Sequence, residues 1–474
     1  MDPRLIALGL TDDAADPAAS TPGAVSPSET SGASHAEPAP LDAATAARIR
    51  EAVGRLEHET HELLSTLIRI PSISPNYPGQ DFEAVVGGET RCAEVLAELY
   101  RAAGADAELF GSVRGRDNAV GRIRGTAGGP SLLYNGHTDV VPPGPNGEWA
   151  GGDPWSGRIA NGRAWGRGAS DMKAGLVAQG MAARALRDAG VRLQGDLVLQ
   201  AVVGEEMMEH DLGTTACVER GYRADAAVVS EPSGPPSPLA VCPVSPGVLW
   251  FTLSVAGRAT HTSMRGETLE PGGEATGVSA VDKIVLMHQA LARLEHDWRF
   301  TKPHPLFRPG HFSILPAVVV GAPKSGLVPF VVPDEARLEV IVWYSPSETD
   351  AEVRTEIEEH LARAAAADTW LRAHPPAVTW RHHWPRSVLD PGHPIVRAAS
   401  EAHLRATGRR AIVAGFPAVE DTTWLNAAGI PAISYGPGDL RAAHAVNESV
   451  DLAEVHEATL TFALLAAAWC GVAT

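Results

Sequence analysis

Short apolar runs that each break off at an acid or a histidine constrain this chain more than any other feature. Residues 131–135 lead into Gly136-His137-Thr138-Asp139, residues 197–203 into Gly204-Glu205-Glu206, and residues 226–230 into Glu231-Pro232. Apolar runs of this length, bounded by turn residues, read as buried strands. Helical stripes alternate with them, at residues 90–103 and again after Lys173. That alternation predicts a layered α/β domain, in which ligands bind beyond the carboxyl ends of the strands. The first two runs therefore deliver His137, Asp139, Glu205 and Glu206 to the place where such a fold does its chemistry.

With 474 residues the chain is too long for one ordinary core, and its texture changes near residue 247. Strand patterns at 248–255, 312–319, 336–344 and 377–382 interleave with helical ones at 279–298 and 350–366. This β-α-β-β-α-β order is that of a ferredoxin-like unit. After about Ser387 the α/β texture returns, so the expected organisation is a catalytic domain of residues 42–246 and 388–474 with an α+β unit, 247–387, inserted. Ordered structure is expected from about Ala44. There Ile49, Val53, Leu56, Leu63, Leu64, Leu67 and Ile68 form a helical stripe that Pro71 stops. Residues 1–41, rich in Ala, Pro, Ser, Asp and Glu, read as a disordered leader or as an arm that packs on a partner subunit.

A net charge of -18 argues against nucleic acid or an anionic membrane as partner. No stretch approaches the roughly 18 apolar residues of a membrane span. The four cysteines, Cys92, Cys217, Cys242 and Cys470, form no metal-binding spacing. Buried thiols in a reduced, cytoplasmic protein are the expectation.

Two further segments add candidates. Gly166-Arg167-Gly168-Ala169-Ser170-Asp171 is a glycine-permitted turn that projects Asp171 just ahead of a helix. An acid there is ordinarily a helix cap, but a carboxylate has two oxygens and is able to bridge two cations. Late in the chain, Gly436-Pro437-Gly438 leads to His444. His137, Asp171, Glu206, Glu231 and His444 together make a mixed nitrogen and oxygen set suited to zinc, with cobalt or manganese as alternatives. Strand alternation places Asp139 on the side of His137, where a carboxylate orients a ligating imidazole.

The segments GHTDVVP, GRGASDMKAG, GEE, SEP and GPGDLRAAH, in this order, resemble those of the dizinc amidohydrolase and peptidase family. That family contains aminoacylases, acetylornithine deacetylase, succinyl-diaminopimelate desuccinylase and carboxypeptidase G. The resemblance implies two zinc ions bridged by Asp171, one completed by His137 and Glu231 and the other by Glu206 and His444. It further implies Glu205 as general base, Asp139 as the partner of His137, and a cis Asp171–Met172 peptide. The segment Ala256-Gly257-Arg258-Ala259-Thr260-His261 resembles the one from which a histidine reaches across a dimer interface to the oxyanion. His261 is thus the candidate, and a homodimer through the inserted unit is implied.

Two departures bear on substrate. Where relatives carry an Asn, and shortly afterwards an Arg that grips a carboxylate, this chain has Phe330 and Trp343. A charge-assisted hydrogen bond is worth about 1.5–3 kcal/mol, so its loss disfavours a carboxylate unless Arg441, Arg258 or Arg265 substitutes. The expected substrate is a small N-acyl amino acid or related N-acylated compound with an apolar or neutral group toward Phe330 and Trp343. A dipeptidase or carboxypeptidase is the alternative within this chemistry, and a non-catalytic binding protein on the same fold is the alternative outside it.

Overall fold

The computed structural model describes residues 41–126 and 128–473. The expected leader, residues 1–41, lies outside the described residues apart from Leu41.

Helix α1 (Ala43–Arg55) starts where Asp42 accepts a hydrogen bond from the Thr45 amide. The stripe expected to form one helix is two: α1 ends at Leu56, and α2 (Glu57–Ile68) begins directly after it. Ile49, Val53, Leu64, Leu67 and Ile68 are nevertheless all buried, because the break redirects the second half of the stripe onto the same core. Helix α3 (Gly88–Ala102) follows.

Next come β1 (Asp106–Val113), β2 (Arg116–Ile123), β3 (Leu132–Asn135), β4 (Arg158–Ala160) and β5 (Arg163–Trp165). Helix α4 (Ala174–Asp188) leads to β6 (Leu197–Ala201), β7 (Ala226–Val229) and β8 (Val241–Ser245). The inserted unit runs β9 (Gly247–Ala256), α5 (Ala280–Thr301), β10 (Ser313–Ala322), β11 (Glu335–Tyr344), α6 (Asp350–Ala366) and β12 (Ala377–Trp384). The chain then re-enters the first sheet through β13 (Ser387–Val388), α7 (Pro394–Thr407), β14 (Val413–Gly415) and β15 (Ala432–Ser434), and closes with β16 (Ser449–Asp451) and α8 (Leu452–Cys470).

The central sheet has the order β1-β2-β6-β3-β7-β15-β8-β13, with β14 also paired to β8. Its four middle strands, β6, β3, β7 and β15, are parallel neighbours, and β3, β6, β7 and β15 are buried along their whole length. Strands of that kind need helices on their faces. Helix α8 is one of them: Tyr134 of β3 donates to the carbonyl of Phe462, 2.6 Å away, and the two rings meet at 5.0 Å.

The inserted unit has a separate antiparallel sheet, β10-β11-β9-β12, the strand order of a ferredoxin-like unit. Leu249, Phe251 and Leu253 of β9 and Leu338, Val340 and Val342 of β11 pack against Ile284, Leu291, Ile357 and Leu361 of its two helices. The fold is therefore a layered α/β domain with an inserted α+β unit, as expected. No helix among the described residues is long and apolar enough to cross a membrane.

Candidate metal centre

All four parallel strands of the central sheet end on the same side, and each feeds the cluster. His137 follows β3, Glu205 and Glu206 follow β6, Glu231 follows β7, and His444 lies in the loop after β15. Asp171 comes from the turn before α4. Gly168, at φ 82°, allows that turn, and the Asp171–Met172 peptide is cis. Gly136 is required by close approach, since a Cβ there would lie 2.6 Å from Met172 Cε.

The side chains meet around Asp171. Its Oδ1 lies 3.1 Å from His137 Nε2, and its Oδ2 lies 3.5 Å from His444 Nε2. His137 Nε2 is also 3.3 Å from Glu231 Oε1, and His444 Nε2 is 3.1 Å from Glu206 Oε2. Asp171 is therefore not spent as a helix cap. The donors fall into two groups, His137–Asp171–Glu231 and Asp171–Glu206–His444, each with ligand atoms within 4.8 Å of one another. Nitrogen and carboxylate oxygen at this spacing is a donor set able to bind a metal ion.

Asp139 acts through different atoms from those expected. The ring Nδ1 of His137 contacts the Asp139 backbone carbonyl at 2.9 Å, while the carboxylate is 3.8 Å away. That carboxylate accepts from the amides of Gly204, at 2.9 Å, and Glu206, at 3.1 Å. It thus fixes the turn that carries both glutamates, which opens at Gly204 with φ 87°. The same turn is held from β2, where Asn118 accepts from the Val203 amide and donates to the Leu212 carbonyl.

The electrostatics follow from gathering acids in a buried place. Burial opposes the charging of His137, but Glu231, Asp171 and Glu205 around it raise its pKa well above the ordinary value. His444 is likewise disfavoured by burial, yet Asp171 and Glu206 raise it to about 11. Burial, helped by Asp171, pushes Glu231 up to about 7. Glu205, with its carboxylate 3.9 Å from His137 Nε2, is raised well above the carboxylate range by burial, and Glu231, Glu206 and Asp421 add to this. A site of this kind stabilises cations.

The other expected site residues lie elsewhere. His261 is exposed on the inserted unit, where its Nδ1 contacts Ser263 Oγ at 2.7 Å, and none of its hydrogen-bond partners belongs to the cluster. Phe330 is beside it, taking a hydrogen bond from the Thr262 amide on its carbonyl. Trp343 pairs with Val248 at the other end of β11, about 26 Å from Glu335 at ~3.3 Å per residue. One small substrate group therefore cannot meet Phe330 and Trp343 of the same chain. Arg441 is exposed and its guanidinium is already engaged by Asp439, so it is a poor free cation for a substrate carboxylate.

Several buried polar residues at the site carried no signal in the sequence. Asp421, raised to about 6 by burial, sits close enough to influence Glu205. Glu448 accepts from the Ser170 and Asp171 amides, and Lys173 donates to the carbonyls of Leu67 and Ile70. Only their burial and partners distinguish them from surface charges, and neither is written in local sequence.

Comparison with known proteins finds relatives by sequence and by fold. The sequence profile described as peptidase family M20/M25/M40 matches residues 133–468. An N-formyl-4-amino-5-aminomethyl-2-methylpyrimidine deformylase from Bacillus subtilis is 33% identical over 434 residues, covering 89% of this chain and 97% of that protein. A succinyl-diaminopimelate desuccinylase from Alkalilimnicola ehrlichii is 29% identical over 413 residues, covering 84% of this chain and 95% of that protein. Human carnosine dipeptidase 1 has a similar fold, with a TM-score of 0.67 at 16% identity, over 91% of this chain and 100% of that one.

Proposed function

The chain belongs to peptidase family M20/M25/M40, and on that premise we propose the substrate and residue roles that follow. It is a metal-dependent hydrolase of amide bonds in small N-acylated compounds. The observation that carries the assignment of roles is that the two oxygens of Asp171 face two different imidazoles, so one carboxylate completes two donor groups. His137, Asp171 and Glu231 would hold one zinc ion, and Asp171, Glu206 and His444 a second; cobalt and manganese suit the same donors. When bound, the ions supply Lewis-acid chemistry, lowering the pKa of water toward about 7 and polarising the amide carbonyl.

The remaining steps belong to the chain. Glu205 takes the proton of the attacking water and delivers it to the leaving nitrogen; its carboxylate stands beside the donor groups, 3.9 Å from His137 Nε2. Asp139 keeps the Gly204–Glu206 turn in place while its carbonyl orients His137. The oxyanion is met by His261 of the second protomer in a homodimer. The supporting observation is the open edge of the inserted sheet, where among the described residues β10 has a neighbour on one side only. Leu315 and Val319 on that strand are each 57% exposed, apolar residues on an open edge strand that favour association. Cytoplasmic location is our reading as well, in keeping with four buried, unpaired thiols.

For the acyl group, the relative named as a formyl-aminopyrimidine deformylase, matched over nearly its whole length, favours a formyl or similarly small acyl on an aromatic amine. Steady-state kinetics on N-formyl, N-acetyl and N-succinyl derivatives of an aminomethyl-aminopyrimidine, beside a set of dipeptides, test this. The N-formyl compound is expected to have the highest kcat/KM; a clear preference for the succinyl derivative or for a dipeptide overturns it.

A further inference from the structure

We propose that Glu448 is a positioning residue that assembles the Asp171–Glu206–His444 half of the metal centre, an inference resting on the two-ion reading above. The two halves are built differently. His137 and Glu231 leave the buried strands β3 and β7 and are themselves 1% and 3% exposed, so the sheet holds them. His444 sits in a surface loop with its side chain 56% exposed and its backbone at φ 59°. Nothing in the sheet fixes where that imidazole points.

The loop is instead fastened at both ends to the turn that presents Asp171. At its start, the Asp439 amide donates to Ser170 Oγ at 3.0 Å. At its end, Glu448 Oε1 accepts from the amides of Ser170, at 2.8 Å, and Asp171, at 3.1 Å, and the Gly166 amide donates to the Glu448 carbonyl at 3.0 Å. Glu448 Oε2 is paired with Arg167 at 2.5 Å, and both side chains are almost fully buried. One carboxylate thus holds the backbone of the bridging aspartate and the base of the loop bearing its histidine partner. The two residues are 273 positions apart in sequence, and the clasp at Ser170 is what makes them neighbours. Loosening Glu448 should free His444 relative to Asp171, while His137 and Glu231 keep the positions the sheet gives them.

The test is titration of the metal-stripped full-length chain with Zn²⁺ by calorimetry. Glu448→Gln retains the shape of the side chain and removes its charge. Because an unpaired Arg167 would cost stability, the double variant Arg167→Met/Glu448→Met is made as well; an apolar pair of similar volume often replaces a buried ion pair without loss of fold. His444→Ala identifies which binding event belongs to the loop-borne half. The expected result is that this event weakens 10- to 100-fold in both Glu448 variants while the other is unchanged. If Glu448→Gln does not fold, the double variant carries the decision. Retention of both events at wild-type affinity, or equal weakening of both, overturns the role of Glu448 alone. A single zinc ion per wild-type chain overturns the two-ion reading, and this one with it.

Discussion

At the scale of the residue, the proposed roles divide the cluster into groups that hold charge and one, Glu205, that moves a proton. Glu205→Gln is expected to lower kcat by about 10²–10⁴ while zinc content stays at the wild-type level, which metal analysis beside a turnover assay would establish. Retained turnover would assign the base elsewhere. Without metal the same groups make stability fall as pH rises. Glu231 in the folded chain binds its proton up to about 7 against 4.5 ordinarily, so its contribution is full below 4.5 and is lost by about 7. His444, raised from 6.5 to about 11, contributes fully below 6.5 and loses that contribution as pH climbs. Both have one sign, so the metal-stripped chain should melt at a lower temperature at pH 8 than at pH 5. Added zinc should reverse the trend at pH 8; a Tm that rises with pH in the stripped chain would contradict this. These residues were legible in the sequence because their segments occur together in a family-like order; taken singly, an acid after a strand or a histidine in a loop has ordinary structural roles. Glu448, Asn118 and Asp421 were not, because a buried polar group is recognised by its partners, and those lie far away along the chain.

At the scale of the element, strands and helices with a single apolar texture were readable to within about three residues at either end. Helix α6 occupies the expected residues 350–366, β9 is one residue longer than expected at each end, and β11 one residue longer at its start. The pair β1 and β2 has no clear apolar signature, since no residue of β1 is fully buried and β2 carries Arg116 and Asn118 inward. The split between α1 and α2 at Leu56 was equally hidden, because both helices bury the same kind of residue. Helix α4 packs so closely on the end of β7 that a Cβ on Gly175 would lie 1.9 Å from the Ser230 carbonyl oxygen. Gly175→Ala should therefore cost about 1–3 kcal/mol in denaturant unfolding and weaken zinc binding, since Ser230 directly precedes Glu231. A variant as stable as the wild type would mean that the helix and strand separate freely there.

At the scale of the whole molecule, two sheets with separate cores are joined where β8 passes into β9 and β12 into β13. If the edge of β10 pairs with a second copy, Val319→Lys should produce monomers in sedimentation velocity and lower kcat well beyond its effect on Tm. Monomeric protein with full activity would remove His261 from the reaction. By itself the sequence determined the class of fold and named the side chains that the structure gathers into two donor groups. Period of hydrophobicity and the chemistry of strand exits are local properties, written in a few adjacent residues. Only the tertiary structure decided that the oxygens of Asp171 divide between two histidines, that Asp139 supports a turn with its carboxylate and an imidazole with its carbonyl, and that Phe330 and Trp343 stand at opposite ends of one sheet. Those are matters of distance between residues hundreds of positions apart, set by how the layers pack.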